Sequence, residues 1–258
     1  MVRWWREIFS KRELVWILIE RNLKIRYKNS FLGFFWSLLG PLSLIAIYSI
    51  FLSLIRIPIA LPTLVSGIII WQFLAMCMGD ALHSIVGNAN LVTKAAFPRL
   101  ILPLSMVGAN AVNFLFSFAV LLAYLLAAGA DFGPVLMLPV ILLTQTALCL
   151  GMALMIGAAN VFFRDTEHVL SVVMLAWFFL TPVVYSINIL PPSYEVFDLT
   201  INVQRLMYIT NPMASLIATY RDLLYWGYRT DLDFFLRTAA TAIAVLLIGY
   251  RFFVRHSY

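Results

Sequence analysis

The feature that most constrains this chain is a series of apolar runs that approach the length a bilayer requires. A helix needs about 20 apolar residues to cross the hydrocarbon core. With 63% hydrophobic residues, 12% charged residues and a mean hydropathy of +0.94, the chain cannot cover itself with a polar surface. We therefore expect an all-α polytopic membrane protein with six transmembrane helices. The candidate spans are residues 31–54, 63–79, 100–128, 134–162, 169–187 and 234–250.

The distribution of lysine and arginine predicts how these spans are oriented. With six spans, both termini share one side of the membrane, and 13 of the 18 Lys and Arg residues fall on that side. Cytoplasmic loops carry the excess of positive charge, so we expect both termini in the cytoplasm. The net charge of +6 does not indicate nucleic-acid binding, because the cations lie between apolar runs and form no single solvated face.

The N-terminal segment, residues 1–30, predicts an amphipathic helix on the cytoplasmic membrane surface. On a helical wheel, Arg21, Lys24 and Lys28 share a polar face, whereas Arg26 projects from the apolar side. Two interpretations stay open. The cations hold the N-terminus inside and bind anionic lipid, with Arg26 extending its charged end to the interface, or Arg26 contacts a phosphate group at the membrane edge.

Three polar segments separate the spans. Residues 87–99 and 160–168 are either plain cytoplasmic turns or docking points for a cytoplasmic partner. Residues 188–233 are long for a connection, which indicates function, and they predict an external helical hairpin with helices near 192–207 and 211–227. The aromatic residues around this segment form either an interfacial belt or a path for carbohydrate.

Several motifs are missing from the sequence. It contains no G-x-x-x-x-G-K-[ST] phosphate loop, no H-E-x-x-H and no paired-carboxylate site, so we expect neither ATP hydrolysis nor a metal or cofactor on this chain. Cys77 and Cys149 lie in apolar runs and are interpreted as small hydrophobic residues.

Four patches in register carry a family resemblance. They are LIERNLKIRYKNSFLGFFWSLLGPL at 18–42, FPR at 97–99, FRD at 163–165, and LTPVVYSINILP at 180–191 followed by NPMASLIATYRDLL. Together they resemble the membrane subunit of bacterial polysaccharide ABC exporters over nearly the whole chain. The layout is most similar to the O-antigen exporter, with capsule and teichoic acid exporters as near relatives.

The resemblance implies a channel-forming permease subunit that acts in the bacterial inner membrane. It implies a single transmembrane domain over residues 1–258, with spans one to five within 31–187, a gate hairpin at 188–233, and span six with a cytoplasmic tail at 234–258. The implied partners are a second copy of the chain, two ABC ATPase subunits that bind ATP and Mg, and a polysaccharide linked to undecaprenyl pyrophosphate.

The resemblance also implies site residues. The implied substrate-loading residues are Arg26, Lys28, Leu32 and Gly33. The implied ATPase-docking residues are Thr93, Lys94, Phe97, Pro98, Arg99, Arg164 and Asp165. The channel and gate aromatics are Trp177, Phe178, Phe179, Tyr185, Tyr225 and Trp226.

Two other functions are alternatives to polysaccharide export. An ABC permease for a small lipid or drug is expected to have a narrower, aliphatic channel. A membrane enzyme acting on lipid phosphates needs clustered acids or histidines at one membrane face, for which His83, His168 and Asp165 are the candidates.

Overall fold

The computed structural model describes residues 11–55, 60–92, 97–191, 194–196 and 199–256. It is almost entirely helical, which confirms the predicted all-α class. Five of the described helices contain stretches long and apolar enough to cross a membrane. They are α2 (Trp36–Ile55), α3 (Leu61–Val86), α4 (Ile101–Ala127), α5 (Leu138–Phe162) and α9 (Leu232–His256), and α1 (Arg12–Tyr27) precedes them.

The fifth predicted span is shorter than expected. Helix α6 (Thr166–Leu180) has 15 residues, which rise about 22 Å, less than the hydrocarbon core of about 30 Å. The helix ends before the predicted boundary at 187 because Thr181 precedes Pro182 and takes an extended conformation, with ψ at 136°. Six membrane crossings therefore stay a prediction.

Contacts between helices define the two ends of the bundle. Phe73 of α3 stacks on Phe114 of α4 at 4.7 Å between ring centroids, and Asp80 lies near Asn110, so α3 and α4 are antiparallel. Gln145 of α5 donates to the Ile70 carbonyl and Asn160 to the Leu82 carbonyl, so α3 and α5 run in parallel. We call the end with Val86, Ile101 and Phe162 the interface-helix end, and the end with Leu61, Ala127 and Leu138 the hairpin end.

The amphipathic helix α1 packs lengthwise against α4. Leu18 is buried with Ile101 and Leu102, Asn22 donates to Ser105, and the Tyr27 hydroxyl donates to Asn113. Successive residues of α1 therefore contact successive residues of α4, which means that the two helices run in the same direction. Part of the apolar surface of α1 stays exposed, and its largest side chain there is Trp16.

Glycine residues let α5 pack closely against two neighbouring helices, α9 and α3. A Cβ atom on Gly249 of α9 would fall far inside the van der Waals radius of the Gly151 carbonyl oxygen on α5. A Cβ on Gly157 would lie 3.0 Å from Ser84 Oγ and 3.1 Å from the Ala81 carbonyl of α3. Glycine at these positions permits backbone-to-backbone packing between α5 and its neighbours.

The connection between α6 and α9 differs from the predicted pair of helices. Where a helix was expected near 192–207, strands β1 (Tyr194–Val196) and β2 (Leu199–Ile201) form an antiparallel ribbon. Helix α7 (Val203–Thr210) begins only after Asn202, whose side chain accepts from the Arg205 amide at 2.8 Å. The prediction was wrong here because β-branched and aromatic residues favour strands, and Asn202 supplies the helix cap.

The second predicted helix forms as expected and enters the bundle. Helix α8 (Pro212–Leu224) has Pro212 in its first turn, and the Asn211 side chain accepts from the amides of Met213 and Ala214. Asn211 also contacts Trp177 of α6, and Trp177 meets Trp71 edge to face at 5.6 Å. Because Trp71 follows Leu61 by ten residues, the turn between α7 and α8 lies about 15 Å below the hairpin end of α3.

Candidate functional site

The interface-helix end holds an ion pair between α1 and α3. Arg26 pairs through Nη2 with Asp80 Oδ2, and Asn110 of α4 donates to the same oxygen at 2.8 Å. The side chains of Arg26 and Asp80 are 25% and 34% exposed. Asp80 follows Leu61 by 19 residues, about 29 Å of helix. That distance is close to one hydrocarbon thickness, so Asp80 lies near the membrane edge if Leu61 lies at the other.

The contact surface of α1 with α3 and α4 also concentrates polar atoms without a protein partner. In the described part of the chain, four buried side-chain atoms lack a hydrogen bond: Arg21 Nε, Arg26 Nη1, Asn110 Oδ1 and Asn113 Nδ2. All four belong to residues of α1 or α4, and we call this set of residues the polar seam. Buried polar groups are nearly always hydrogen-bonded, so four such atoms in one region are unusual. The bundle core differs, since Gln145 and Asn160 are both satisfied there.

The predicted loading residues Arg26 and Lys28 lie on different sides of α1. Lys28 is exposed and lines an open groove of about 330 Å³ that includes Arg21 and Lys24. Lys24 also pairs with Glu20 at 2.6 Å. Arg26 faces Asp80 instead. The structure therefore presents an exposed basic groove and, behind it, one arginine held by a carboxylate.

A tight turn connects α1 to α2 at the predicted Leu-Gly pair. Gly33 has a φ of +51°, a conformation that glycine adopts without steric cost, and its amide donates to the Ser30 carbonyl. Leu32 is half-buried, whereas the neighbouring Phe31 is fully exposed. The turn thus changes the direction of the chain next to Lys28 and exposes an aromatic ring there.

The predicted docking residues that the structure describes lie at the interface-helix end, in two loops. Phe97, Pro98 and Arg99 are half-buried just before α4, while Arg164 and Asp165 are exposed between α5 and α6. Thr93 and Lys94 lie outside the described residues. Phe97 packs on the small cluster of Leu18, Ile101 and Leu102. The loop before α4 therefore packs on the same small cluster that buries Leu18 of α1.

The predicted channel aromatics divide into packed and exposed rings. Trp177 donates to Asn211 at 3.0 Å, and both Trp177 and Phe178 lie against Trp71. Phe179 and Trp226 are 62% and 53% exposed. The other two aromatics are half-buried: the Tyr185 hydroxyl donates to the Phe179 carbonyl, and Tyr225 packs edge to face on Trp226 at 4.7 Å. Exposed rings of the set therefore occur both on α6 and after α8.

An arginine that sequence reasoning missed joins three segments at the hairpin end. The Arg221 guanidinium donates to the backbone carbonyls of Thr63, Pro182, Val183 and Tyr185. Burial lowers the pKa of Arg221 to about 10, so the group stays charged at neutral pH. The signal in the sequence was the single cation of NPMASLIATYRDLL, which follows ten uncharged residues and lies in the last turn of α8.

The polar seam was also missed, because the predicted second span ends at 79, one residue before Asp80. Helix α3 continues to Val86, so Asp80 lies inside it. Asn110 and Asn113, three residues apart and thus on one face of α4, were the available signal in an otherwise apolar run. Ionisable residues in long apolar helices are rare and usually paired, so Asp80 with Arg26 and Asn110 is a candidate functional site.

The bundle of long apolar helices and its charged membrane edge define a multi-pass membrane protein. The sequence profile of the ABC-2 type transporter family matches residues 13–225, and the chain belongs to this family of transporter membrane subunits. Among curated proteins, it is similar to the O-antigen export system permease protein RfbA of Myxococcus xanthus. Those two chains are 31% identical over 250 residues, which cover 95% of this chain and 93% of the relative.

Two further relatives come from Klebsiella pneumoniae, and both are also named O-antigen export system permease protein RfbA. One is 30% identical over 252 residues, covering 95% of this chain and 93% of the relative. The other is 30% identical over 223 residues, covering 83% of this chain and 81% of the relative. The similarity to all three therefore extends over most of both chains.

Proposed function

We propose that this chain is the channel-forming permease subunit of an ATP-driven exporter that moves lipid-linked polysaccharide of the O-antigen type across the bacterial inner membrane. The observation that carries the proposal is the similarity of about 30% identity to O-antigen export permeases over nearly the full length of both chains. The family assignment supports a membrane subunit whose transport is driven by a separate ATPase.

The proposed assembly contains two copies of this chain and two ABC ATPase subunits, which bind ATP and Mg. Helix α6 has no buried residue. In α2, only 11% of the residues in the most apolar stretch are buried. Such faces suit contact with lipid or with a second copy. The basic interface-helix end faces the cytoplasm in this proposal, with both termini, since 13 of the 18 Lys and Arg residues belong to that side.

In the proposed loading step, the pyrophosphate of an undecaprenyl pyrophosphate-linked polymer approaches the groove beside Lys28. Phosphate oxygens suit lysine and arginine as partners, and a lipid carrier places its phosphates at the membrane edge. Arg26 lies behind this groove and carries the unpartnered Nη1 atom, while the turn at Leu32 and Gly33 leads from the groove into α2. These four residues would guide the pyrophosphate into the channel.

In the proposed coupling step, the ATPase docks on the loops that contain residues 93–99 and Arg164–Asp165. Phe97 packs on the cluster that includes Leu18 of α1. Arg21 of α1 also donates to Asn88 at 2.7 Å. A movement of the docking loop would therefore change the position of α1 and of the loading groove.

The polymer would leave at the hairpin end, past the exposed aromatic rings. Trp177 and Phe178 would shape the channel wall through Trp71, whereas Phe179, Tyr185, Tyr225 and Trp226 would lie on the path or at the external gate. Aromatic rings offer sugars large apolar faces with polar edges.

Disruption of the gene in the bacterium that encodes it tests the proposal. We expect loss of the surface polysaccharide and accumulation of the undecaprenyl-linked polymer inside the cell, with both effects reversed by the intact gene on a plasmid. An unchanged surface polymer would refute polysaccharide export. In that case, altered drug resistance or lipid distribution would support a permease for small molecules, and altered lipid phosphorylation would support a membrane enzyme.

A further inference from the structure

A pocket of about 200 Å³ lies at the hairpin end, outside the site described for loading. Its walls come from the turn after α6, from α7, and from the end of α8 with the residues that follow it. Trp226 and Tyr208 supply aromatic surface, and Ser186, Asn188 and Asp222 supply polar groups. Ala218 leaves space between these walls because its side chain is small.

The floor of the pocket is rigid. Arg221 lies at its base, and all three of its nitrogen atoms donate to backbone carbonyls of α3 and of the turn after α6. The guanidinium is therefore already occupied and is not available as a primary anion ligand. Its many bonds fix α8 relative to the turn that carries Ser186 and Asn188.

The aromatic walls are held in place by neighbouring rings. Tyr208 meets Phe234 of α9 edge to face, with 5.1 Å between ring centroids. Trp226 meets Tyr225 in the same geometry at 4.7 Å, yet 53% of the tryptophan surface remains exposed. Trp226 thus offers an open ring beside the pocket without any change in the fold.

The polar groups keep unused hydrogen-bonding capacity. Thr230 donates to Asp222 Oδ2 at 3.1 Å, and a carboxylate has about four acceptor positions in total. Ser186 and Asn188 are both exposed. Acceptors and donors therefore surround a volume that has aromatic surface on one side.

The combination of an engaged arginine, one carboxylate and aromatic walls in this pocket excludes several kinds of ligand. An anion would be repelled by Asp222 while Arg221 is already engaged. An apolar ligand would leave the polar groups of Asp222 and Asn188 without water. A hard cation such as Ca²⁺ needs six to eight oxygen ligands, and the pocket lining contains one carboxylate.

We propose that this pocket is a binding subsite for one neutral sugar ring of the exported polymer, with Trp226 as the stacking platform and Asp222 as the acceptor for sugar hydroxyls. A pyranose has an apolar face and a rim of hydroxyl groups, which matches this arrangement. The inference rests on the proposed function, since it takes the exported polysaccharide as the source of the ligand. The subsite would hold the leading sugar at the exit of the channel.

Saturation-transfer NMR on the purified full-length protein in detergent tests the proposal. The probes are the methyl glycosides of D-glucose, D-galactose, D-mannose and L-rhamnose, each measured separately. We expect saturation transfer to at least one probe in the wild-type protein. Trp226→Ala should abolish the transfer, and Asp222→Asn should weaken binding about tenfold, the usual difference between a hydrogen bond to a charged group and one to a neutral group.

Tyr228→Ala is the matched control, because Tyr228 is an aromatic residue of the same loop, is 67% exposed and does not line the pocket. It should bind like the wild type. Because 53% of Trp226 is exposed, we expect Trp226→Ala to fold, and this variant remains informative if Asp222→Asn does not fold.

Absence of transfer to every probe in the wild type would overturn the subsite, as would equal transfer in Trp226→Ala and the wild type. Neither result depends on export. If gene disruption abolishes the surface polymer while no glycoside binds, the subsite fails and the exporter stands. If glycosides bind but disruption leaves the surface polymer intact, the proposed function fails.

Discussion

Exchanging the charges of Arg26 and Asp80 separates a structural role of Arg26 from a role in substrate loading. The variants are Arg26→Glu, Asp80→Arg and the double exchange. Each single change places two like charges at the contact of α1 with α3, next to Asn110. The double exchange restores opposite charges, and the Asn110 carbonyl oxygen, which has no partner in the wild type, can then accept from the guanidinium introduced at position 80.

The size of the effect follows from the burial of the pair. Exposed ion pairs contribute at most about 1 kcal/mol, whereas breaking a fully buried pair costs about 3–5 kcal/mol. With side chains 25% and 34% exposed, we expect the pair to contribute about 2 kcal/mol. Added repulsion brings each single variant to a loss of about 3 kcal/mol, which corresponds to a fall in Tm of roughly 6–12 °C for a chain of this size.

The assay has two readouts, thermal unfolding of the purified full-length protein in detergent and surface polysaccharide in cells with equal amounts of each variant. We expect the double exchange to recover stability to within about 1 kcal/mol but not to recover export, because a glutamate at position 26 repels the pyrophosphate. Arg12→Glu is the control for charge alone, since Arg12 is an exposed cation of α1 that does not line the loading groove. It should change stability by less than about 0.5 kcal/mol.

Two results would refute the reasoning. If the single losses simply add in the double exchange, Arg26 and Asp80 do not interact in the folded protein. If the double exchange restores export together with stability, Arg26 acts only by tying α1 to α3, and the loading role is wrong.

Three other perturbations test separate parts of the structure. Phe97→Ala should uncouple ATP hydrolysis from transport by loosening the cluster around Leu18; normal stimulation of the ATPase by this variant would contradict the docking proposal. Gly249→Ala should cost at least about 3 kcal/mol or prevent folding, because its Cβ overlaps the Gly151 carbonyl, whereas Gly79→Ala, with nothing within 4 Å, should fold normally in a size-exclusion assay. Because burial raises the pKa of Asp222, the folded state binds more protons than the unfolded state between the ordinary carboxyl pKa of about 4 and the raised value. Stability should therefore fall as pH rises through that window, and a melting curve of Asp222→Asn that keeps the same pH dependence would contradict this assignment.

The sequence was sufficient for features that depend on local composition. Apolar runs of helical length placed most ends of the five long helices within about five residues, although α3 and α9 continue to Val86 and His256, beyond the predicted ends at 79 and 250. Asn211 followed by Pro212 marked the start of α8 correctly. The wheel position of Arg26, on the apolar side of α1, also agrees with its contact to α3. These features follow from the chain itself, because hydrophobicity and capping act over a few residues.

Features that depend on contacts between distant segments were not predictable. The partner of Arg26 is 54 residues away on another helix, and nothing near Arg26 in the sequence identifies Asp80. The insertion of the α7–α8 turn beside Trp71 likewise depends on packing. The short strands Tyr194–Val196 and Leu199–Ile201 were missed because the same residues were predicted to be helical, although their β-branched and aromatic side chains favour strands.

The most direct test of the central claim is transport in inside-out membrane vesicles that contain this chain together with its ABC ATPase. Undecaprenyl pyrophosphate-linked polysaccharide labelled in its sugars is supplied to the outer leaflet, and polymer in the lumen is measured as label protected from added glycosidase. The proposed function predicts protection that requires hydrolysable ATP and disappears when this chain is omitted. ATP hydrolysis by the complex without any protected polymer would contradict it.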